Sequence, residues 1–103
     1  METKIKHFED YQLIHKFLLG DDEAGRKLYA DVYSVVNRYV RKLVKNSTLS
    51  EHDADDIVEE SIIRSYQDIR NYRGDSRYSS LVCKYASYVF KEFLQTKDEY
   101  RLS

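Results

Sequence analysis

The chain has 103 residues, with 17 basic and 18 acidic side chains, one cysteine, no proline and a formal net charge of −1. That length accommodates one domain, burying roughly 60–70% of the surface its unfolded form exposes, and leaves no room for a second. A lone cysteine cannot close an internal disulfide, which excludes a stapled secreted scaffold, and the balanced charge excludes a protein that is basic over its whole surface. No apolar run approaches the ~20 residues of a membrane span, and no charged leader with an apolar core opens the chain, so the sequence reads as cytoplasmic.

Three glycines and no proline leave little punctuation for strands and turns, and the apolar spacing predicts helices instead. The first runs from about Asp10 to Leu19, with Leu13, Ile14, Phe17 and Leu18 inward, and stops at Gly20. A second, capped by Asp21 or Asp22 and ended near Asn46 and Ser47, carries Leu28, Val32, Val35, Val36, Tyr39, Val40, Leu43 and Val44 on one stripe.

Ser50 with Asp53 three residues later has the form of a capping box, with Asp in place of the usual Glu or Gln. Behind it Ala54, Ile57, Val58, Ser61, Ile62, Ser65, Tyr66 and Ile69 define a third helix. After a loop, Leu81, Val82, Tyr85, Ala86, Val89, Phe90, Phe93 and Leu94 define a fourth, with Ser79 or Ser76 as its expected cap. The stretch from Thr96 to Ser103 is polar, lacks a stripe and is expected to fray. The expected fold is all-α, a compact bundle of about four helices over residues 1–97, with 98–103 as a linker or tail.

Charge is unevenly spread. Residues 1–50 hold nine basic and seven acidic side chains, 51–60 hold six acidic and no basic ones, and 61–103 hold eight basic and five acidic. On the third helix Asp53, Asp55, Asp56, Glu59 and Glu60 fall off the apolar stripe and form a carboxylate ridge. Such a ridge is a solvated face favouring the positive end of its helix, or a docking face for a basic partner. A helical carboxylate metal site usually adds a Glu-x-x-His pair, and none of His7, His15 and His52 supplies one.

No Gly-rich phosphate loop occurs, and Cys83 has no adjacent histidine to activate it, so the chain is read as non-enzymatic, without metal or cofactor. The loop Tyr72-Arg73-Gly74-Asp75-Ser76-Arg77-Tyr78-Ser79 contains an Arg-Gly-Asp tripeptide, but an adhesion role needs an extracellular compartment that the cysteine usage does not support. Its arginines offer phosphate contacts and its tyrosines offer faces for unpaired bases, with Gly74 allowing a tight turn. The same tyrosines could equally pack down as lids on the core.

The run DADDIVEESIIRSYQDIRNYRGDSRYSSL, Asp53 to Leu81, resembles region 2 of bacterial sigma factors of the sigma-70 type, most closely the extracytoplasmic-function group. Upstream, LLGDDEAGRKLYADVYSVVNRYV, Leu18 to Val40, resembles the opening of the same region. The resemblance implies that Asp55, Asp56, Glu59, Glu60 and Ile63 dock on the clamp coiled coil of the beta-prime subunit of core RNA polymerase. It implies that Tyr72, Arg73, Gly74, Asp75, Ser76, Arg77, Tyr78 and Ser79 capture a flipped base of the nontemplate strand of the promoter minus-ten element. Lys84, Ser87, Tyr88 and Lys91 would contact that DNA from the following helix.

Departures from the family pattern are Glu59 for glutamine, Leu81 for tryptophan, Tyr85 for isoleucine and Ser87-Tyr88 for an Arg-Asn pair. The family normally adds a helix-turn-helix domain, region 4, and the chain is read as a domain excised through the linker that precedes it, with a truncated, stand-alone relative as the alternative. The expected function is promoter recognition and opening on behalf of a polymerase, with an anti-sigma factor as a further partner. The alternative is a helical protein-interaction module of sigma ancestry without useful DNA recognition.

Overall fold

The structure, a computed structural model, describes the backbone of residues 4–102 and the side chains of residues 4–97. Four helices, α1 (Phe8–Leu18), α2 (Asp22–Lys45), α3 (Glu51–Gln67) and α4 (Tyr78–Leu102), pack as an all-α bundle, with a short 3-10 turn at Ile69–Asn71. Among the described residues no helix is long and apolar enough to cross a membrane.

Local chemistry sets the junctions. Gly20, at φ +98°, closes α1: its amide donates to the Phe17 carbonyl at 3.0 Å and the Asp21 amide donates to Lys16 at 3.1 Å, the two bonds of a Schellman motif. Asp21 then caps α2 by accepting from the Ala24 amide at 3.1 Å. The reversal between α1 and α2 therefore spends no residues on a free loop.

The buried positions of α2, Leu28, Val32, Val36, Val40 and Val44, recur at every fourth residue. Four residues overshoot one turn by about 40°, so this stripe winds around the helix. Near its start Gly25 lies against Phe17 of α1, and further on Tyr39 meets Ser87 of α4 and Arg41 reaches Glu51 and Asp55 of α3, so every other helix packs against α2.

The capping box of α3 forms in full, with the Asp53 amide donating to Ser50 Oγ at 3.1 Å and the Ser50 amide donating to Asp53 Oδ2 at 2.9 Å. Ala54, Ile57, Val58 and Ile62 enter the core with Ser61 and Ser65. Those two buried hydroxyls donate to carbonyls of their own helix, Ile57 at 2.5 Å and Ile62 at 2.8 Å, so neither is left unpaired. On α4, Val82, Ala86 and Val89 are fully buried opposite them.

The start of α4 differs from the sequence expectation. Ser79 lies inside the first turn, and Ser76 serves through its carbonyl, which accepts from the Tyr72 hydroxyl at 2.6 Å. The Tyr78 amide is met instead by the Asp10 carboxylate of α1 at 2.9 Å, a cap supplied from another helix. The other end of α4 differs too: the helix continues past Thr96 to Leu102. Thr96 Oγ1 donates to the Glu92 carbonyl, and Lys97 bridges to Asp53 of α3 at 3.0 Å, a tertiary anchor that helix propensity does not encode.

Candidate docking and nucleic-acid surfaces

On α3 the acids expected to act together fall into two sets. Asp55 and Glu51 are both gripped by Arg41 of α2, Asp53 is paired with Lys97, and Glu60 accepts from Arg64 Nε at 2.9 Å. Arg64 also reaches Glu92 of α4 at 2.6 Å, and hydrogen bonding to Glu92 and then Glu60 holds its guanidinium pKa above the ordinary value. Apart from Glu60–Arg64, which lies within α3, these pairs tie α3 to α2 and α4.

Asp56 and Glu59 remain. Among the described residues Asp56 pairs with the exposed His52 alone, at 3.8 Å, and Glu59 joins no ion pair. Ile63, with 47% of its surface exposed, stands one turn beyond Glu59. Positions 56, 59 and 63 lie on one face of α3, so the outward stripe consists of two available carboxylates and an aliphatic side chain. An apolar contact flanked by exposed charge of one sign is suited to a basic surface.

The loop before α4 is held from beneath. Gly74 is buried at φ +79°, its carbonyl accepts from the His7 amide at 2.9 Å, and a Cβ at this position would collide with Ile5. Only glycine meets both conditions here. Tyr78 is 1% exposed and donates to Ser65 Oγ at 3.0 Å, while Tyr72 is half-buried between Tyr11 and Tyr78. Burial pushes the Tyr72 hydroxyl up to about 12, with Asp10 adding to it.

Tyr78 therefore presents no ring face for a base to stack on, and the lid reading holds for it. Ser79 is buried as well. Arg73 and Asp75 point into solvent, and Arg77 is largely exposed beside Asp10, at 3.4 Å. The loop offers cations on a fixed backbone rather than a pair of aromatic platforms.

Along α4, Lys84, Tyr88 and Lys91 are exposed on one face, and Tyr88 shows 66% of its surface. Ser87 is already engaged, with its hydroxyl 2.6 Å from the Tyr39 hydroxyl of α2 and 3.2 Å from the Cys83 carbonyl. Burial pushes the Cys83 thiol up from its ordinary value, the direction that disfavours the thiolate. Among the described residues no cluster of three or more His, Cys, Asp or Glu could hold a metal ion.

Sequence reasoning missed Asp10, Arg41 and the pair Ile5 and His7. Each works across the fold on a residue distant in the chain, and only the adjacency of Asp10 to an apolar stripe could have drawn attention to it. Comparison with protein-family profiles, with curated proteins and with solved structures found no match.

Proposed function

We propose that the chain is a transcription-initiation module of the sigma region 2 kind, which docks on core RNA polymerase and engages the nontemplate strand of a promoter minus-ten element. The observation that carries the reading is the loop at the head of α4, held by the Gly74–His7 and Tyr78–Asp10 bonds, whose exposed Arg73 and Arg77 lead into the exposed Lys84, Tyr88 and Lys91. A fixed backbone bearing cations next to an exposed aromatic ring supplies the phosphate and stacking contacts that an opened strand requires. The stripe of Asp56, Glu59 and Ile63 lies on a separate helix, so polymerase and DNA need not compete.

The sequence motifs of the sigma family support the same assignment, with one revision. Tyr78 acts as the anchor that holds the loop, and base stacking passes to Tyr88 and the exposed part of Tyr72. Extruding a base costs a few kcal/mol, and each aromatic contact returns about 1–3 kcal/mol.

A second reading, a protein-interaction module without DNA recognition, is favoured by the burial of Tyr78, which removes one expected platform. Binding of a single-stranded minus-ten oligonucleotide across a salt series separates the two. The proposal expects measurable affinity that weakens with salt and falls in an Arg73→Ala, Tyr88→Ala variant. No affinity at low salt, with polymerase binding intact, selects the interaction module.

A further inference from the structure

Between Val32 and Ser50 the chain carries four cations, Arg38, Arg41, Lys42 and Lys45, and no acid. Arg41 is held by Glu51 and Asp55, whereas Arg38, Lys42 and Lys45 are exposed and join no ion pair among the described residues. Lysines in the last turn of a helix favour its negative end, a local benefit at Lys42 and Lys45 that leaves both exposed ammonium groups open to a partner. Arg38 stands about 10 Å back along the axis, beyond the reach of that effect.

The position of this stripe is informative. Helix α2 meets α4 at the Tyr39–Ser87 hydroxyl pair. Lys42 lies one turn beyond Tyr39, and Lys84 and Lys91 lie one turn either side of Ser87. Lys42 also shares a shallow groove with Phe90 and Leu94 of α4. The cations of the two helices thus border one seam, with Tyr88 on one flank and Tyr33, 41% exposed and stacked on Tyr29, on the other.

We propose that Arg38 and Lys42 of α2 form a second DNA-backbone contact, continuous with Lys84 and Lys91 of α4, so that the α2–α4 seam is one nucleic-acid-binding face. Positive charge that no described side chain offsets selects a polyanion, and exposed rings on both flanks favour nucleic acid over an acidic peptide. The inference deepens the reading above and rests on it for the identity of the DNA as promoter.

The test titrates fluorescent single-stranded DNA, and the matching duplex, over a salt series. It compares the wild type, an Arg38→Gln, Lys42→Gln variant, and an Arg26→Gln, Lys27→Gln control that loses the same charge from the other end of α2. Each lost phosphate contact makes the plot of log K against log salt shallower by about 0.9 on duplex and about 0.7 on a single strand. The double variant is expected to be shallower by nearly twice that amount on the form of DNA that the seam holds, with an unchanged helical circular dichroism spectrum. The control is expected to keep the wild-type slope.

A double variant with the wild-type slope overturns the proposal, as does a control that shifts equally, or a wild type with no affinity for either DNA at low salt. A double variant that retains its DNA slope but no longer binds core polymerase assigns the face to a protein and overturns it too. A wild type that binds DNA through these residues yet never binds core polymerase removes the promoter reading and leaves the seam standing.

Discussion

Tyr66 and Tyr78 lie ring beside ring, with centroids 6.2 Å apart, yet their hydroxyls are in opposite situations. Tyr78 donates to Ser65 Oγ, whereas the buried Tyr66 hydroxyl has no hydrogen-bond partner among the described residues. Burial pushes Tyr66 up to about 12 and Tyr78 higher still, so both remain neutral at physiological pH. A made bond between neutral groups contributes about 1 kcal/mol net, and an unmade one leaves the desolvation cost uncompensated. Denaturant unfolding should therefore show Tyr78→Phe destabilised by about 1 kcal/mol and Tyr66→Phe unchanged or stabilised. Equal losses in the two variants would contradict this assignment of hydroxyl partners.

That contrast also marks where reading from sequence stops. The tyrosines were visible as loop residues and stripe residues, but which hydroxyl finds a partner depends on how α3 lies against α4. Likewise Gly74 was legible as a turn, whereas the contact with Ile5 that excludes any larger side chain joins residues far apart in the chain.

At the scale of helices, information local in sequence was readable and information carried between helices was not. The capping box of α3 formed as its spacing predicts, and the end of α2 at Asn46 follows from the loss of the stripe. The cap of α4 did not, because Asp10 supplies it from α1. Asp53 belongs to both classes. It closes its own capping box and also anchors Lys97 of α4.

Those contacts, the backbone bond from Ser50 first and the Lys97 bond second, hold the Asp53 carboxyl below its ordinary value of 3.8. A depressed folded-state pKa contributes stability above the unfolded value, and that stability is lost as pH falls through the folded one. Thermal unfolding should show the midpoint dropping as pH falls below about 4, with a smaller drop for Asp53→Asn than for the wild type. Identical acid profiles would mean that the Asp53 pairing carries no pH-dependent stability.

Across the whole molecule, charge is divided by helix. The cross-links made by Arg41, Arg64 and Lys97 consume most of the acids of α3 and leave Asp56 and Glu59 outward beside Ile63. The sequence disclosed the ridge as a block of six acids, but not which of them are engaged, since Arg41 lies 10 residues from Glu51 and on another helix. The basic α2–α4 seam was hidden by the same averaging, because acids early in the chain offset the cations of α2. This division also decides which variants are informative. Glu60→Lys would place a cation against Arg64 and disturb the link to α4, whereas Asp56→Lys and Glu59→Lys change only the outward face.

In the proposed function, docking on core RNA polymerase falls to that outward face. The most direct test is a pull-down of the chain with core RNA polymerase at low salt, with the wild type beside an Asp56→Lys, Glu59→Lys variant of unchanged thermal stability. The wild type is expected to be retained and the variant to be lost. Equal retention of both, or no retention of the wild type, would contradict docking through this face.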